Sequence, residues 1–403
     1  ICGILLAGCN SSATAPFQAI EPPPVQVTGT VAATLTVTGA ELVDVTPDGR
    51  TGITIGNSAT GEDEITTFAI GASSLSPIAT LRIPAANLPA GSAEVDLTGV
   101  AVSPDGSYAL VALKDKTPAN LNAYDEKPGK VIAVSLPNLQ ILSEVTVGIG
   151  PDTVAIAPNG QFAVVGNEDE ELNVDEEPLI PPRRPGSVSI LDLRQGPAQM
   201  RLIETLTIPP TGIRILPDDP QPETVRISRD RRFALVTWQE NRAVARVDIN
   251  SLAPGGFRIT NFDLGSRYLV DSMGRGVCTS SDGYVRGRIA PFTASREPDG
   301  IAISPDGRFF ITADEDNVAV ADYDAGEGDR GRSISAFDAV TGALLGDSGN
   351  LIEQLVVRER LPMRCSSKGP EPEVVDLGVV EGGCGGATVG VCVPGALRCG
   401  VHF

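Results

Sequence analysis

EPDGIAISPDGRFFITADED, residues 297–316, decides how the rest of the chain reads. It runs from an acidic lead (Pro298-Asp299) through a short apolar strand (300–303) into the turn Pro305-Asp306-Gly307. A second apolar strand (309–313) follows and ends on Asp314, Glu315 and Asp316. Pro-Asp-Gly between apolar runs has a turn mechanism: proline presets φ, aspartate bonds its own backbone, and glycine supplies positive φ. The unit recurs. Aligned on the turn Asp or Asn, the copies fall at Asp48, Asp105, Asn159, Asp230 and Asp306, spaced by 57, 54, 71 and 76 residues. Such intervals suit β-propeller blades whose outer loops carry insertions.

Two further apolar runs follow each copy. They are ITTFAI (65–70) and PIATLRI (77–83), then GKVIAVSL (129–136) and ILSEVTVG (141–148), then GSVSILDL (186–193) and RLIETLTI (201–208). The fourth and fifth copies continue with AVARVDI (243–249) and FRITNFDL (257–264), and with GRSISAFD (331–338) and ALLGDS (343–348). Four predicted strands per copy is the make-up of a propeller blade. The fold class expected is therefore all-β, a β-propeller of four-stranded antiparallel blades, with five complete blades and part of a sixth from Pro372-Glu373. The run 31–38 is expected to act as an outer strand that closes the ring against the last blade.

The 403 residues include 44 glycines and 32 prolines and carry a formal net charge of -20. Nucleic-acid binding needs a basic footprint and is excluded on charge. An acidic surface suits an exported, solvated protein or one that binds cations. The only histidine is His402, so the body of the chain has no histidine-ligated haem, zinc or copper and no Ser-His-Asp or Cys-His centre. Between Cys9 and Cys365 lies only Cys278, which rules out a disulfide framework for the core.

The opening ICGILLAGC resembles the end of a bacterial lipoprotein signal: an apolar run, then small residues before Cys9, whose thiol would carry the lipid. The expected organisation is a truncated signal at 1–9, a Pro/Ser-rich tether at 10–26, the propeller at 27–382 and an atypical cysteine-rich tail at 383–403. The expected location is the bacterial cell envelope or outside the cell, on the periplasmic or surface side of the membrane.

Several phrases are recognisable together: PGKVIAVS, GNEDE with GSVSILDL, PETVRISRDRRFALVTWQENRAVARVDI, EPDGIA with ITADED, GRSISAFDAVTGALLGDSGN, and KGPEPE. The chain resembles the choice-of-anchor I domain family over about residues 30–382, in the right order. These are YVTN- and WD40-like propeller proteins of bacteria, related to a mesenchyme-specific cell-surface glycoprotein of animals. The resemblance implies a seven-bladed propeller on the cell surface or in an envelope compartment, with a lipidated Cys9 as anchor. The tail departs from the family pattern: GCGGATVGVCVPGALRCGVHF reads either as a frameshift near Gly383 or as a small cysteine-stapled segment.

In blade geometry the segment leading into strand one and the segment trailing strand two open on the same face. The leading column reads Glu41, Thr98, Asp152, Glu223, Asp299 and Glu373. The trailing column reads Asn57, Lys114, Glu168, Gln239 and Glu315, flanked by Asp169, Glu170, Glu240, Asp314 and Asp316. A ring of carboxylates repels itself unless cations sit among them, and a hard cation such as Ca²⁺ takes six to eight oxygens. The candidate metal ligands are Asp152, Glu168, Asp169, Glu170, Glu223, Asp299, Asp314, Glu315 and Asp316. Further acids at Asp322, Asp324, Glu327 and Asp329 follow without EF-hand spacing. The same residue types also cap turns and keep sheet edges soluble without any ligand. Arg242, Arg330 and Arg332, with Arg275, Arg286 and Arg288 in the insertion 266–296, are the candidate counter-charges. Cys278 reads as an inert thiol, and Trp238 as an inter-blade packing residue.

Two function classes follow. The first is an envelope-anchored, non-catalytic module that binds a protein, a glycan or a small molecule, with calcium on its acidic face. The alternative is a calcium-dependent, phytase-like or esterase-like hydrolase. A lactonase of the YVTN-propeller kind is disfavoured because it leans on histidine.

Overall fold

Every Pro-Asp-Gly-type turn joins two antiparallel strands, and every such hairpin grows into a four-stranded sheet. The computed structural model describes residues 33–37, 39–57, 63–116, 127–169, 184–269, 292–315, 333–349, 351–352, 372–378, 386–390 and 401–402. Blade 1 comprises β1 (Ala40–Val45), β2 (Thr51–Asn57), β3 (Asp63–Ile70) and β4 (Leu75–Arg82). Blade 2 comprises β5 (Val95–Val102), β6 (Tyr108–Asp115), β7 (Pro128–Ser135) and β8 (Ile141–Ile149). In blade 3 the strands are β9 (Pro151–Ile156), β10 (Phe162–Asn167), β11 (Ser187–Asp192) and β12 (Arg201–Thr207). Blade 4 has β13 (Pro222–Ile227), β14 (Phe233–Trp238), β15 (Ala243–Ile249) and β16 (Phe257–Asp263). The ends of the 266–296 insertion pair as a hairpin, β17 (Ser266–Leu269) with β18 (Phe292–Ser295). Blade 5 follows with β19 (Glu297–Ile303), β20 (Phe309–Glu315), β21 (Ser333–Asp338) and β22 (Leu344–Asp347). A three-stranded sheet comes last, β23 (Val374–Gly378), β24 (Gly386–Gly390) and β25 (Val401–His402), so the atypical tail supplies two of its strands. The chain is an all-β propeller protein, with five four-stranded blades among the described residues. The expected closing strand at 31–38 is not seen: residues 33–37 form none.

The turns repeat one hydrogen-bond pattern. Thr46 Oγ1 donates to Asp48 Oδ1 at 2.7 Å, and the same oxygen accepts the Arg50 N–H at 3.1 Å. Ser103 with Asp105, Ser228 with Asp230 and Ser304 with Asp306 repeat the first bond at 2.7 Å. These donors hold carboxyl groups below the ordinary range: chiefly the Thr46 hydroxyl for Asp48, the Ser107 N–H for Asp105 and the Ser304 hydroxyl for Asp306. The residue after the aspartate or asparagine is left-handed each time. It is glycine at 49, 106, 160 and 307, with φ of 69°, 71°, 68° and 70°, and it is Arg231 in blade 4, with φ of 64°.

The core lies between blades. Second strands are buried on both faces and third strands over much of their length, which is why they read as apolar runs. Alternation splits each run between two neighbours. Ala109, Val111 and Leu113 of β6 meet Ile53, Ile55 and Ile65 of blade 1, while Leu110 meets Val154, Ala163 and Val165 of blade 3. Val164, Val188 and Ile190 of blade 3 join Ala234, Val236 and Trp238 of blade 4. Ile311, Ala313 and Ile334 of blade 5 pack with Val375 of the last sheet. Each fully buried aliphatic side chain contributes on the order of 1.5–3 kcal/mol. Trp238 is fully buried in this seam and donates its indole N–H to Asn261 Oδ1 at 3.1 Å, which fixes the packing role expected for it.

First strands adjoin in sequence: β1 with β5, β5 with β9 and β9 with β13, and separately β19 with β23. The described residues fall into two compact units, one within Val31–Asp263 and one within Leu264–Phe403. Among the described residues, no helix is long and apolar enough to cross a membrane.

Candidate functional site

The leading column coincides with a register insertion in every complete blade. In blade 1, Ala40 and Leu42 face Gly56 and Ile55, leaving Glu41 as the extra residue. In blade 2 the extra residue is Thr98, between Leu97 and Gly99 opposite Leu113 and Ala112. In blade 3 it is Asp152, between Pro151 and Thr153 opposite Asn167 and Gly166. Blade 4 fits Glu223 and Thr224 opposite the single residue Thr237, and blade 5 fits Asp299 and Gly300 opposite Ala313. A bulge bends the strand and re-aims the side chain it carries, and bulges concentrate beside functional sites. The prolines before the acids, Pro151, Pro222 and Pro298, are buried, while Asp152, Glu223 and Asp299 stay half-buried.

Neighbouring columns touch directly. Thr98 Oγ1 donates to Pro151 O at 2.5 Å, joining the bulge of blade 2 to the residue before Asp152. Gly99 makes this approach possible: a Cβ there meets Asp152 O at 2.9 Å and Thr153 Cα at 3.1 Å. Gly300 holds the equivalent place in blade 5, where a Cβ meets Glu373 O at 2.4 Å. Asp152 and Glu223 therefore stand on adjoining strands at one register position. Asp299 belongs to the second unit and has the same position in its own blade.

The trailing column carries its own counter-charges. Lys114 of blade 2 pairs with Glu168 of blade 3 at 3.5 Å, with side chains 12% and 7% exposed. Asp169, buried and left-handed at φ 54°, takes the Arg184 guanidinium at 2.7 Å. Arg184 was not among the arginines the sequence suggested. Asp63, just past the trailing residue of blade 1, accepts the Leu97 N–H of blade 2. Burial, then the charges of Asp96 and Glu41, push its carboxyl up to about 6 against the opposing pull of Lys116. Lys116 itself is held on Asp96 at 2.7 Å.

Asp314 serves the interior of blade 5 instead of the rim. Its oxygens accept the hydroxyls of Thr312 at 2.7 Å, Ser333 at 2.7 Å and Ser335 at 2.5 Å. Burial raises its carboxyl pKa, with these hydroxyls and the charge of Arg296 opposing the rise. Asn167 occupies the same register in blade 3, where it donates its Nδ2–H to Ser187 Oγ and Ser189 Oγ at 3.2 and 3.0 Å. Arg296, another residue sequence reasoning passed over, is buried on Ser335 Oγ, Leu264 O and Asp347 Oδ2, at 2.9, 3.0 and 2.7 Å. Glu315 is buried at the end of β20. Glu170, Asp316, Asp322, Asp324, Glu327, Asp329, Arg275, Arg286, Arg288, Arg330, Arg332, Cys278 and the lipidation residue Cys9 lie outside the described residues. Among the described residues, no three histidine, cysteine, aspartate or glutamate side chains gather into a metal cage.

Solved structures with similar folds include a Kuenenia stuttgartiensis hydrazine synthase, 15% identical, covering 86% of this chain and 79% of that one, at a TM-score of 0.43. The periplasmic gluconolactonase PpgL of Pseudomonas aeruginosa is 15% identical over 81% of this chain and 88% of its own, at 0.36. The β-propeller domain of Cps50 (Swd1) from Myceliophteria thermophila is 12% identical over 89% and 95%, at 0.38. No curated protein matches the chain. The choice-of-anchor I domain matches residues 58–330, from just after β2 of blade 1 to the segment between β20 and β21, and the chain belongs to that family.

Proposed function

We propose that the protein is an exported, envelope-anchored propeller acting as a non-catalytic binding module, with calcium as its first ligand. The ligand face is the blade end that carries the leading column. What supports this reading is the coincidence, in five blades, of that column with the residue inserted into the first strand. The family name points to a surface-associated protein. A lipid on Cys9 is the proposed anchor.

Calcium accepts six to eight hard oxygens, from carbonyls and water as well as carboxylates. Asp152 and Glu223, on adjoining strands of the leading column, are the proposed carboxylates. Hydroxyls, carbonyls and water make up the rest of the set, since no three carboxylates close on one point among the described residues. The hydrolase alternative needs spare cations to hold phosphate beside the metal, and here Lys114 is engaged by Glu168 and Arg184 by Asp169.

Calorimetric titration of the full chain with calcium chloride, run beside turnover assays on phytate and p-nitrophenyl acetate, tests the reading. Saturable calcium binding without turnover is the expected result. Calcium-dependent release of phosphate or nitrophenol moves the protein to the hydrolase class, and no saturable heat removes the ion from this face.

A further inference from the structure

Blade 4 breaks the repeat at its turn. Where the others read Pro-Asp-Gly or Pro-Asn-Gly, it reads Arg229-Asp230-Arg231-Arg232. Arginine thus replaces the proline and the glycine, and a third arginine follows. All three are exposed, and Arg232 leaves 84% of its side chain in solvent.

The replacement at 231 is conformationally costly. Arg231 sits at φ 64°, the left-handed conformation that glycine adopts at 49, 106, 160 and 307. A side chain there costs about 1 kcal/mol relative to glycine. Space is not the obstacle, because a Cβ built on Gly49 meets nothing within 4 Å. No internal contact offsets the cost. Among the described residues neither Arg229 nor Arg231 makes an ion pair, and Arg232 reaches Asp230 only at 3.8 Å. The turn is nevertheless firmly built: Arg231 N–H donates to Ser228 O at 2.8 Å, and Arg232 O accepts the Ile249 N–H at 2.7 Å. Three arginine side chains are therefore exposed on one hydrogen-bonded hairpin turn, in a chain whose net charge is -20. Strain kept at a site without an internal partner points to an external one.

We propose that the blade 4 turn docks on the anionic phospholipid headgroups of a membrane surface. Three exposed arginines on one turn complement a layer of phosphates by charge, and guanidinium pairs with phosphate through two parallel N–H bonds. The acidic body does not cancel the attraction. At about 0.1 M salt the screening length is ~10 Å, so the groups nearest the surface dominate.

Co-sedimentation of the unlipidated full chain with vesicles tests the proposal, using phosphatidylcholine alone and phosphatidylcholine mixed with phosphatidylglycerol. The wild-type chain is expected to bind only the mixed vesicles and to release them as salt rises. The variant carrying Arg229→Gln, Arg231→Gly and Arg232→Gln loses roughly a hundredfold in partition, about fivefold per arginine. A second variant with lysine at the three positions keeps most of the binding, which separates lost charge from a disturbed turn. Equal binding to both vesicles, no binding to either, or undiminished binding by the first variant overturns the proposal. So does retention on an acidic polypeptide in place of the vesicles.

Discussion

Single residues decide the turns. Serine or threonine two places before the aspartate donates to its carboxylate, and that carboxylate accepts the N–H two places after it, so the motif carries its own fold instruction. The exception at 231 makes a quantitative prediction. Arg231→Gly raises stability by about 1 kcal/mol, because it relieves a left-handed arginine, measured by urea unfolding. The single tryptophan, buried in the seam of blades 3 and 4, gives the fluorescence signal for that measurement. The turn aspartates were legible in the sequence because their bonds are local. Arg296 was not, because its partners Ser335 and Asp347 are 39 and 51 residues away. The hydroxyl partners of Asp314, Ser333 and Ser335, lie 19 and 21 residues along the chain, beyond the reach of a local reading.

Pairs of elements meet through backbone where glycine permits it. Gly300→Ala drives a Cβ to 2.4 Å from Glu373 O, whereas the nearest atom at Gly99 is Asp152 O at 2.9 Å. Both substitutions destabilise, with Gly300→Ala the worse, at roughly 2–3 kcal/mol against about 1 for Gly99→Ala. Thermal unfolding of the two variants checks the order. The seam of blades 1 and 2 gives a pH dependence. Asp63 titrates at about 6 in the folded chain, above the carboxylate value of 3.8. The native state therefore binds the extra proton, and this group's contribution to stability falls as pH rises from about 4 to 6 and stays lost above that. Asp63→Asn keeps an acceptor for the Leu97 N–H and removes the penalty. It gains on the order of 1–2 kcal/mol at pH 7, allowing for its partial exposure, and no gain below pH ~4. Urea unfolding across that range shows the convergence. Blade order and strand number were readable because second strands are buried on both faces, third strands over much of their length, and both are bounded by turn residues. The bulges were not, since an inserted residue changes the pairing without changing the residue types.

At the scale of the molecule, the repeat makes one chemical position recur on successive first strands, so that residues more than fifty positions apart in the chain become neighbours. The contact of Thr98 with Pro151 is the direct instance. The acidic composition pointed to a cation-binding face, but it did not reveal that Lys114 and Arg184 already balance part of the trailing column. The leading column is thus the face on which cation binding is to be sought. Thermal unfolding of the full chain, with excess calcium and with excess EDTA, is compared between the wild type and the Asp152→Asn, Glu223→Gln double variant. Calcium at a hundred times its Kd is predicted to stabilise the wild type by ~2.7 kcal/mol, while the variant unfolds alike in both conditions and matches the wild type in EDTA. An equal calcium increment in both proteins, or none in the wild type, contradicts binding at the bulged first strands.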